Sequence, residues 1–175
     1  MSYLTETFIP YSKVLVPLLL EGLWITIYVS AFAFLLSIIL GAILAIIQHF
    51  KIKGLSLLAR IYVSYFRGTP LLIQLFLFYY GLPMVMDIMK QCPKTFALVL
   101  CLGLNSAAYI SESIRGAIES IDKVQYEASL AFGLSHRQMM LKIILPQAAV
   151  AAVPPIVNSC LDIIKMSSLG MTIGI

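Results

Sequence analysis

Residues 120–148 read SIDKVQYEASLAFGLSHRQMMLKIILPQA, a polar interval between two apolar ones, and its pattern decides how the rest of the chain is read. Asp122 is followed three residues later by Gln125, a start like a capping box, and Ile121 and Tyr126 stand where a hydrophobic staple would clamp it. These signals predict a short helix over about Lys123 to Phe132. Gly133 is the residue type that most readily takes the left-handed conformation that ends many helices. Ser135 with Gln138 repeats the capping box, and Leu134 with Met139 repeats the staple. The expected product is a hairpin of two short helices over residues 120–146, ending at Pro146. Two uses suit such an object between membrane segments. It is either a lever that fits a groove in another protein and passes on its motion, or an amphipathic connector resting on headgroups. Spacing alone leaves both open.

Outward from the hairpin the chain is apolar. Of 175 residues 61% are hydrophobic and 11% charged, with a mean hydropathy of +0.97. Soluble domains carry about 25% charged residues, so this is an integral membrane protein. The start of the chain has no basic stretch leading to an apolar core and a small-residue cleavage site, so the first span is expected to direct insertion itself. The net charge of +4 is spread between apolar segments, not gathered on one polar face, which argues against nucleic acid as a partner. Cys92, Cys101 and Cys160 form no CxxC pair and read as small buried hydrophobes. There is no GxxxxGK[ST], HExxH or GxSxG, and His49 and His136 stand far apart, so the chain offers no catalytic residue, metal site or cofactor of its own.

The spans follow from the charge-free runs. Leu23 to Ile47 holds 25 positions without a charge, with Trp24 and Tyr28 placed for a headgroup-level aromatic belt. A second apolar interval starts at Ile61, is interrupted by Arg67, Gly68 and Pro70, and resumes as Leu71 to Met86, which predicts a kink or a short helix leading into the span. Arg67 is either a snorkelling or fold-anchoring residue or a buried partner in the bundle. A polar turn with Asp87, Lys90, Pro93 and Lys94 follows. The third run, Phe96 to Ile110, is short, so its helix is expected to continue to Ile118, with Glu112 and Arg115 on one face and able to pair. The fourth, Pro146 to Ile164, contains Pro154-Pro155, which should kink or break it and place it in a bundle interior or beside water.

Within these spans Asn158, Asp162 and Lys165 share a helix face. They either line a path, offering both signs of charge, or form an ion pair at the membrane boundary. Asn105 is either an interhelical hydrogen bonder or a second path residue. Seven Lys and Arg flank the hairpin side, in Gln48 to Arg60 and Ser111 to Gln147, against Lys13, Lys90 and Lys94 on the other. The positive-inside rule then makes the hairpin cytoplasmic and puts the N-terminus outside.

Glu127-Ala128-Ser129, Gly133 and Ile143-Ile144-Leu145-Pro146 resemble the EAA signature of the membrane subunits of bacterial ATP-binding-cassette importers, with Ser129 where the signature has Ala. Two further stretches resemble the polar-amino-acid branch, the histidine and glutamine type permeases. They are Arg67-Gly68-Thr69-Pro70-Leu71-Leu72 with Gln74-Leu75-Phe76, and Ala108-Tyr109-Ile110 with Glu112 and Arg115-Gly116. The resemblance covers nearly the whole chain. It implies an all-α transmembrane bundle of the type I ABC importer permease kind, a single permease domain over 1–175. Four spans are present, and a fifth is expected beyond the last residue.

It further implies a multi-pass protein of the bacterial inner membrane that moves polar amino acids by alternating access. The partners implied are an ATPase subunit that binds ATP and Mg, a second permease copy or paralogue, an extracytoplasmic amino-acid-binding protein and membrane lipid. The hairpin would be the coupling element. In it Glu127 and Ala128 face the ATPase, Ser129 completes the motif, Gly133 makes the turn and Pro146 sets the start of the fourth span. Arg67, Gly68, Thr69, Pro70, Glu112 and Arg115 would be structural, and Asn105, Asn158, Asp162 and Lys165 would line the path, the last two offering both signs to an amino-acid zwitterion. The rival is a self-sufficient secondary transporter or channel for small polar solutes, which would need an ion-coupling site and internal repeats.

Overall fold

The computed structural model describes residues 9–87 and 91–175; Lys90 of the polar turn lies outside them. All regular structure among the described residues is helical. Helix α1 runs Ile9–His49, 41 residues, far longer than the charge-free run inside it. A charge-free run marks the hydrocarbon crossing, not the helix ends, and Pro17 and Glu21 near the start do not stop α1. At 1.5 Å per residue it is roughly 60 Å long against a hydrocarbon core of about 30 Å, so it projects beyond the bilayer.

Helix α1 packs along α5, Lys94–Glu119, through small side chains. Val29, Ala33, Ser37, Gly41 and Ala45 recur every four residues and are all buried. At Gly41 a Cβ would lie 2.8 Å from Ile110 Cγ2 and 3.1 Å from the Ala107 carbonyl; at Gly103 on α5 it would lie 2.7 Å from Leu36 Cδ2 and 3.2 Å from the Ala33 carbonyl. Each helix therefore offers a glycine to the other. In lipid, where apolar burial gives helices no preference for one another, such close approach is what holds them together. The main core gathers around this pair, with Val29, Leu75, Leu98, Cys101, Leu102 and Ile163 buried together. Cys92 and Cys160 are only half-buried.

The interrupted second span is α2, Leu55–Gly68, followed by α3, Leu71–Phe76, a wide π turn at Leu77–Gly81 and α4, Leu82–Val85. Its two parts meet at 107°, so the expected kink is a full turn of direction. The third span reaches Glu119, as the short apolar run requires. The hairpin is α6, Lys123–Ala131, and α7, His136–Met139; a π turn at Met140–Ile144 then leads into α8, Leu145–Met166, and a 3₁₀ segment at Ser167–Ile173. Leu15–His49, Lys94–Glu119 and His136–Ile173 are long and apolar enough to cross a membrane, and the bent pair Leu55–Gly68 with Leu71–Val85 makes a fourth if it is one broken span.

Two expectations need correction here. Of the kink or break expected at Pro154 and Pro155 the break does not occur, and α8 is helical throughout. A proline's φ already suits a helix; it removes the donor to the carbonyl four residues back. Those carbonyls belong to Val150 and Ala151, both exposed, so no neighbour competes to open the helix there. Nor does the second hairpin helix end at Pro146. The π turn absorbs that proline, with the Leu145 N–H donating to the Met140 carbonyl five residues back, so hairpin and fourth span are one helical stretch.

Candidate functional site

The hairpin is fixed by local bonds that the sequence nearly specifies. Asp122 Oδ1 accepts from the Val124 N–H at 2.9 Å and caps α6. The matching half of a capping box does not form, because the Gln125 amide is drawn to Gln147 at the start of α8. Gln125 Nε2 donates to Gln147 Oε1 at 3.0 Å, and Gln147 Nε2 donates back to Gln125 Oε1 at 2.6 Å. Gly133 has φ +76°, and α6 closes with Gly133 N–H to the Leu130 carbonyl at 2.9 Å and Leu134 N–H to the Ser129 carbonyl at 3.1 Å. That bond pair needs a left-handed residue between its arms, which glycine takes at least cost. Ser135 and Gln138 form the complete capping box at α7.

Beneath the hairpin Ile118, Met139, Met140, Ile144 and Ala148 are buried together, with Ile121 and Tyr126 packed against them. Of the staple residues, Ile121, Tyr126 and Met139 thus belong to a small core shared with the ends of α5 and α8. Glu127 and Ala128 are exposed on the outer side of α6. Ser129 beside them is buried: it is 3% exposed and its hydroxyl donates to the Gln125 carbonyl at 2.6 Å. It braces the motif from inside and is not placed to touch a partner. Val124, Leu130 and Phe132 stand out from the hairpin, Phe132 at 86% exposure.

At the break in the second span the accounting is compact. Pro70 cannot donate to the carbonyl of Phe66, four residues earlier. Gln74 Nε2 supplies that bond at 3.0 Å and Asn105 Nδ2 a second at 3.1 Å, while Asn105 Nδ2 also donates to Gln74 Oε1 at 3.0 Å. Gln74 is 1% exposed and Asn105 6%. Thr69 Oγ1 receives from Gln74 at 2.7 Å and donates to the Tyr65 carbonyl at 2.8 Å. Gly68 has open space where a Cβ would sit. Gln74 is the residue to which sequence reasoning assigned no role. The signal was there: a proline in a span orphans a known carbonyl, and an amide side chain one turn later can reach it.

Beside the break, Arg67 Nη1 lies 3.5 Å from Glu112 Oε2 and its guanidinium lies 5.5 Å from the centre of the Tyr109 ring. Arg115 Nη2 pairs with Glu112 at 2.8 Å and Nη1 with Glu119 at 2.5 Å. Arg67, Glu112, Arg115 and Glu119 thus form a ladder from the break to the base of the hairpin. The pairs are partly exposed, so each contributes at most about 1 kcal/mol.

The four residues expected to line a path separate. Asn105 and Asp162 line one cavity of about 260 Å³ together with Ser106, Tyr109, Ser159 and Met166. Asn158 and Lys165 are exposed outside it. Lys165 Nζ reaches Asp162 Oδ1 at 3.5 Å, with both side chains more than half exposed. Among the described residues no cluster of His, Cys, Asp or Glu could hold a metal ion.

The chain is 46% identical over 165 residues to the probable amino-acid ABC transporter permease protein PatM of Vibrio harveyi, covering 94% of this chain and 74% of that protein. It superposes on a crystal structure described as an amino acid ABC transporter with histidines at a TM-score of 0.88, with 33% identity over 96% of this chain and 77% of that one. It shares its fold with the MetNI methionine ABC transporter in inward-facing form, at a TM-score of 0.74 and 22% identity over 90% of this chain and 74% of that one. The fold is thus the all-helical bundle of the type I ABC importer permeases, multi-pass in the membrane. Residues 37–175 match the family described as binding-protein-dependent transport system inner membrane component, and to that family this chain belongs.

Proposed function

We propose that this chain carries amino acids across the inner membrane by alternating access, and that the 120–146 hairpin is where a separate ATPase drives it. The chain is a transport subunit; ATP hydrolysis belongs to another subunit of such transporters, and in this reading that partner binds the ATP and Mg. The remaining partners are a second permease copy or a paralogue and an extracytoplasmic binding protein. The hairpin is cytoplasmic and the N-terminus outside, by the charge balance of the loops. The cargo assignment rests on the similarity to an amino-acid permease. A cavity that holds Asp162, with Lys165 beside it, suits a solute bearing both charges.

One observation carries the coupling reading: α7 continues through the π turn into α8 without a break, while α6 stands uncovered at Glu127 and Ala128, and Phe132 just after it is exposed as well. A push on α6 therefore travels through a packed core into a span. The groove-facing residues are Glu127 and Ala128; Ser129, Gly133 and Pro146 keep the handle in shape.

A cysteine introduced by Ala128→Cys should cross-link to an ATP-hydrolysing chain in native membranes. Capture of no such chain would overturn the coupling reading. It also separates this reading from a self-sufficient transporter, which has no such partner. Gly133→Val forces a β-branched residue to φ +76°, a strain of about 1–3 kcal/mol. ATP-driven amino-acid uptake in vesicles should fall roughly tenfold or more, with insertion unchanged; full uptake would sink the lever account.

A further inference from the structure

Four cations converge at the end of the bundle from which the hairpin leaves. Lys51 just beyond α1, Arg60 and Arg67 on α2, and Arg115 on α5 line an open cavity of about 540 Å³, together with Glu112 and Glu119. Both carboxylates are already engaged by Arg115, and Arg67 shares Glu112. Among the described residues neither Lys51 nor Arg60 has a carboxylate in ion-pair range. Arg60 Nε donates to the Ser56 carbonyl at 3.3 Å, which leaves both terminal guanidinium nitrogens for a ligand. The cavity therefore carries two positive charges in excess, and Ser64 and Gln48 add neutral polar groups to its wall.

The backbone at Lys51 points the same way. Its φ of +48° is in the left-handed region, where an L side chain costs about 1–2 kcal/mol. Glycine or asparagine would make that turn more cheaply. What lysine adds is an ammonium group on the cavity wall.

The surroundings decide what kind of anion fits. On α2, Leu57, Leu58 and Ile61 are 58–63% exposed beside Arg60, and Ile46 near the end of α1 is 53% exposed. A positive cavity at the end of the spans, bordered by outward-facing apolar side chains, matches a molecule with a negative head and hydrocarbon tails. We propose that this cavity binds a phosphate group, and that the group is the headgroup phosphate of an anionic phospholipid. A free phosphate compound offers the same charge but leaves the apolar border of α2 unused. The proposal does not depend on the coupling reading.

The test uses the full-length protein with the subunits that copurify with it, in phosphatidylcholine nanodiscs doped with phosphatidylglycerol, and retained lipid is measured by native mass spectrometry. Phosphatidylglycerol should be retained selectively, and Lys51→Gln with Arg60→Gln should weaken it roughly tenfold to thirtyfold, since each basic residue near a membrane surface contributes about 1 kcal/mol. The charge-preserving pair Lys51→Arg with Arg60→Lys should keep it. Lys53→Gln with Lys142→Gln, which removes the same charge outside the cavity, should change nothing. Equal weakening by this outside pair, or equal retention of phosphatidylcholine, would overturn the site. Inorganic phosphate as competitor separates the sources. No displacement supports the lipid, whereas displacement together with binding of inorganic phosphate alone overturns the lipid assignment in favour of a soluble phosphate compound.

Discussion

Pro70 and the pair Pro154-Pro155 stand in two spans of this protein, with opposite results. At Pro70 the second span turns by 107°; at Pro154 and Pro155 the fourth stays helical from Leu145 to Met166. The lost donor is the same in each case, and what differs is who answers for the carbonyl left behind. At Pro70 the Phe66 carbonyl lies inside the bundle and receives Gln74 and Asn105 from two different elements. At Pro154 and Pro155 the carbonyls of Val150 and Ala151 are on an exposed face. A proline thus redirects a span where buried side chains hold an alternative path in place, and leaves the helix continuous where none do.

The sharpest way to break this comparison is at the buried side. Gln74→Leu combined with Asn105→Leu leaves the Phe66 carbonyl with no donor in an apolar setting, and should lower stability by about 3 kcal/mol, the cost of an unsatisfied buried group plus a lost interhelical bond. Thermal unfolding in detergent measures it. Adding Pro70→Ala restores a backbone donor and should recover part of the loss. If the triple variant is no more stable than the double, the carbonyl is not what the two amides serve.

A second test asks whether the covered side of the bundle is as tightly specified as the break suggests. Gly41→Ala puts a methyl group 2.8 Å from Ile110 Cγ2 and 3.0 Å from its Cβ, a branched side chain with little freedom to yield. A loss of about 2 kcal/mol is expected from this overpacking. Gly116→Ala on the same α5, with nothing within 4 Å, is the internal control and should hold or raise stability. Equal effects at the two glycines would mean that the α1–α5 approach is not the holding contact.

What the sequence displayed and what it hid follow the same division between local and distant causes. The hairpin was legible because Gly133, Ser135 and Gln138 act within one turn of themselves, and the structure forms their bonds. The Asp122–Gln125 box was misread because Gln125 finds Gln147, 22 residues away, and no window of a few residues contains that partner. The spans were legible as charge-free runs, but the ends of α1 were not, because apolarity reports the hydrocarbon and not the helix. Gln74 and the stripe Val29, Ala33, Ser37, Gly41, Ala45 went unread although their spacing was visible, since their meaning depends on which helix lies opposite. Of the residues expected to line a path, Asn158, Asp162 and Lys165 all lie on α8, yet of these three only Asp162 meets the cavity that Asn105 also lines. A face is wider than a site.

The smallest effect belongs to the uncovered side and carries the opposite sign. Pro154→Ala gives the Val150 carbonyl its donor back, in a helix that is already continuous there. Nothing packed has to be undone, because Val150 is 73% exposed and Pro154 is exposed as well. Alanine is favoured over proline in a helix interior by up to about 3 kcal/mol. The continuous helix already tolerates the free carbonyl, so a gain of about 1 kcal/mol, the net value of one hydrogen bond, is the expectation. The measurement is the same thermal unfolding, made first on the permease alone and then on the permease with its copurifying subunits. A gain in both leaves the face uncovered in the assembly. A gain in the first that turns into a loss in the second would mean that a partner surface is shaped to this proline, and the contrast between the two spans would then be one of which neighbour supplies the donor, this chain or another.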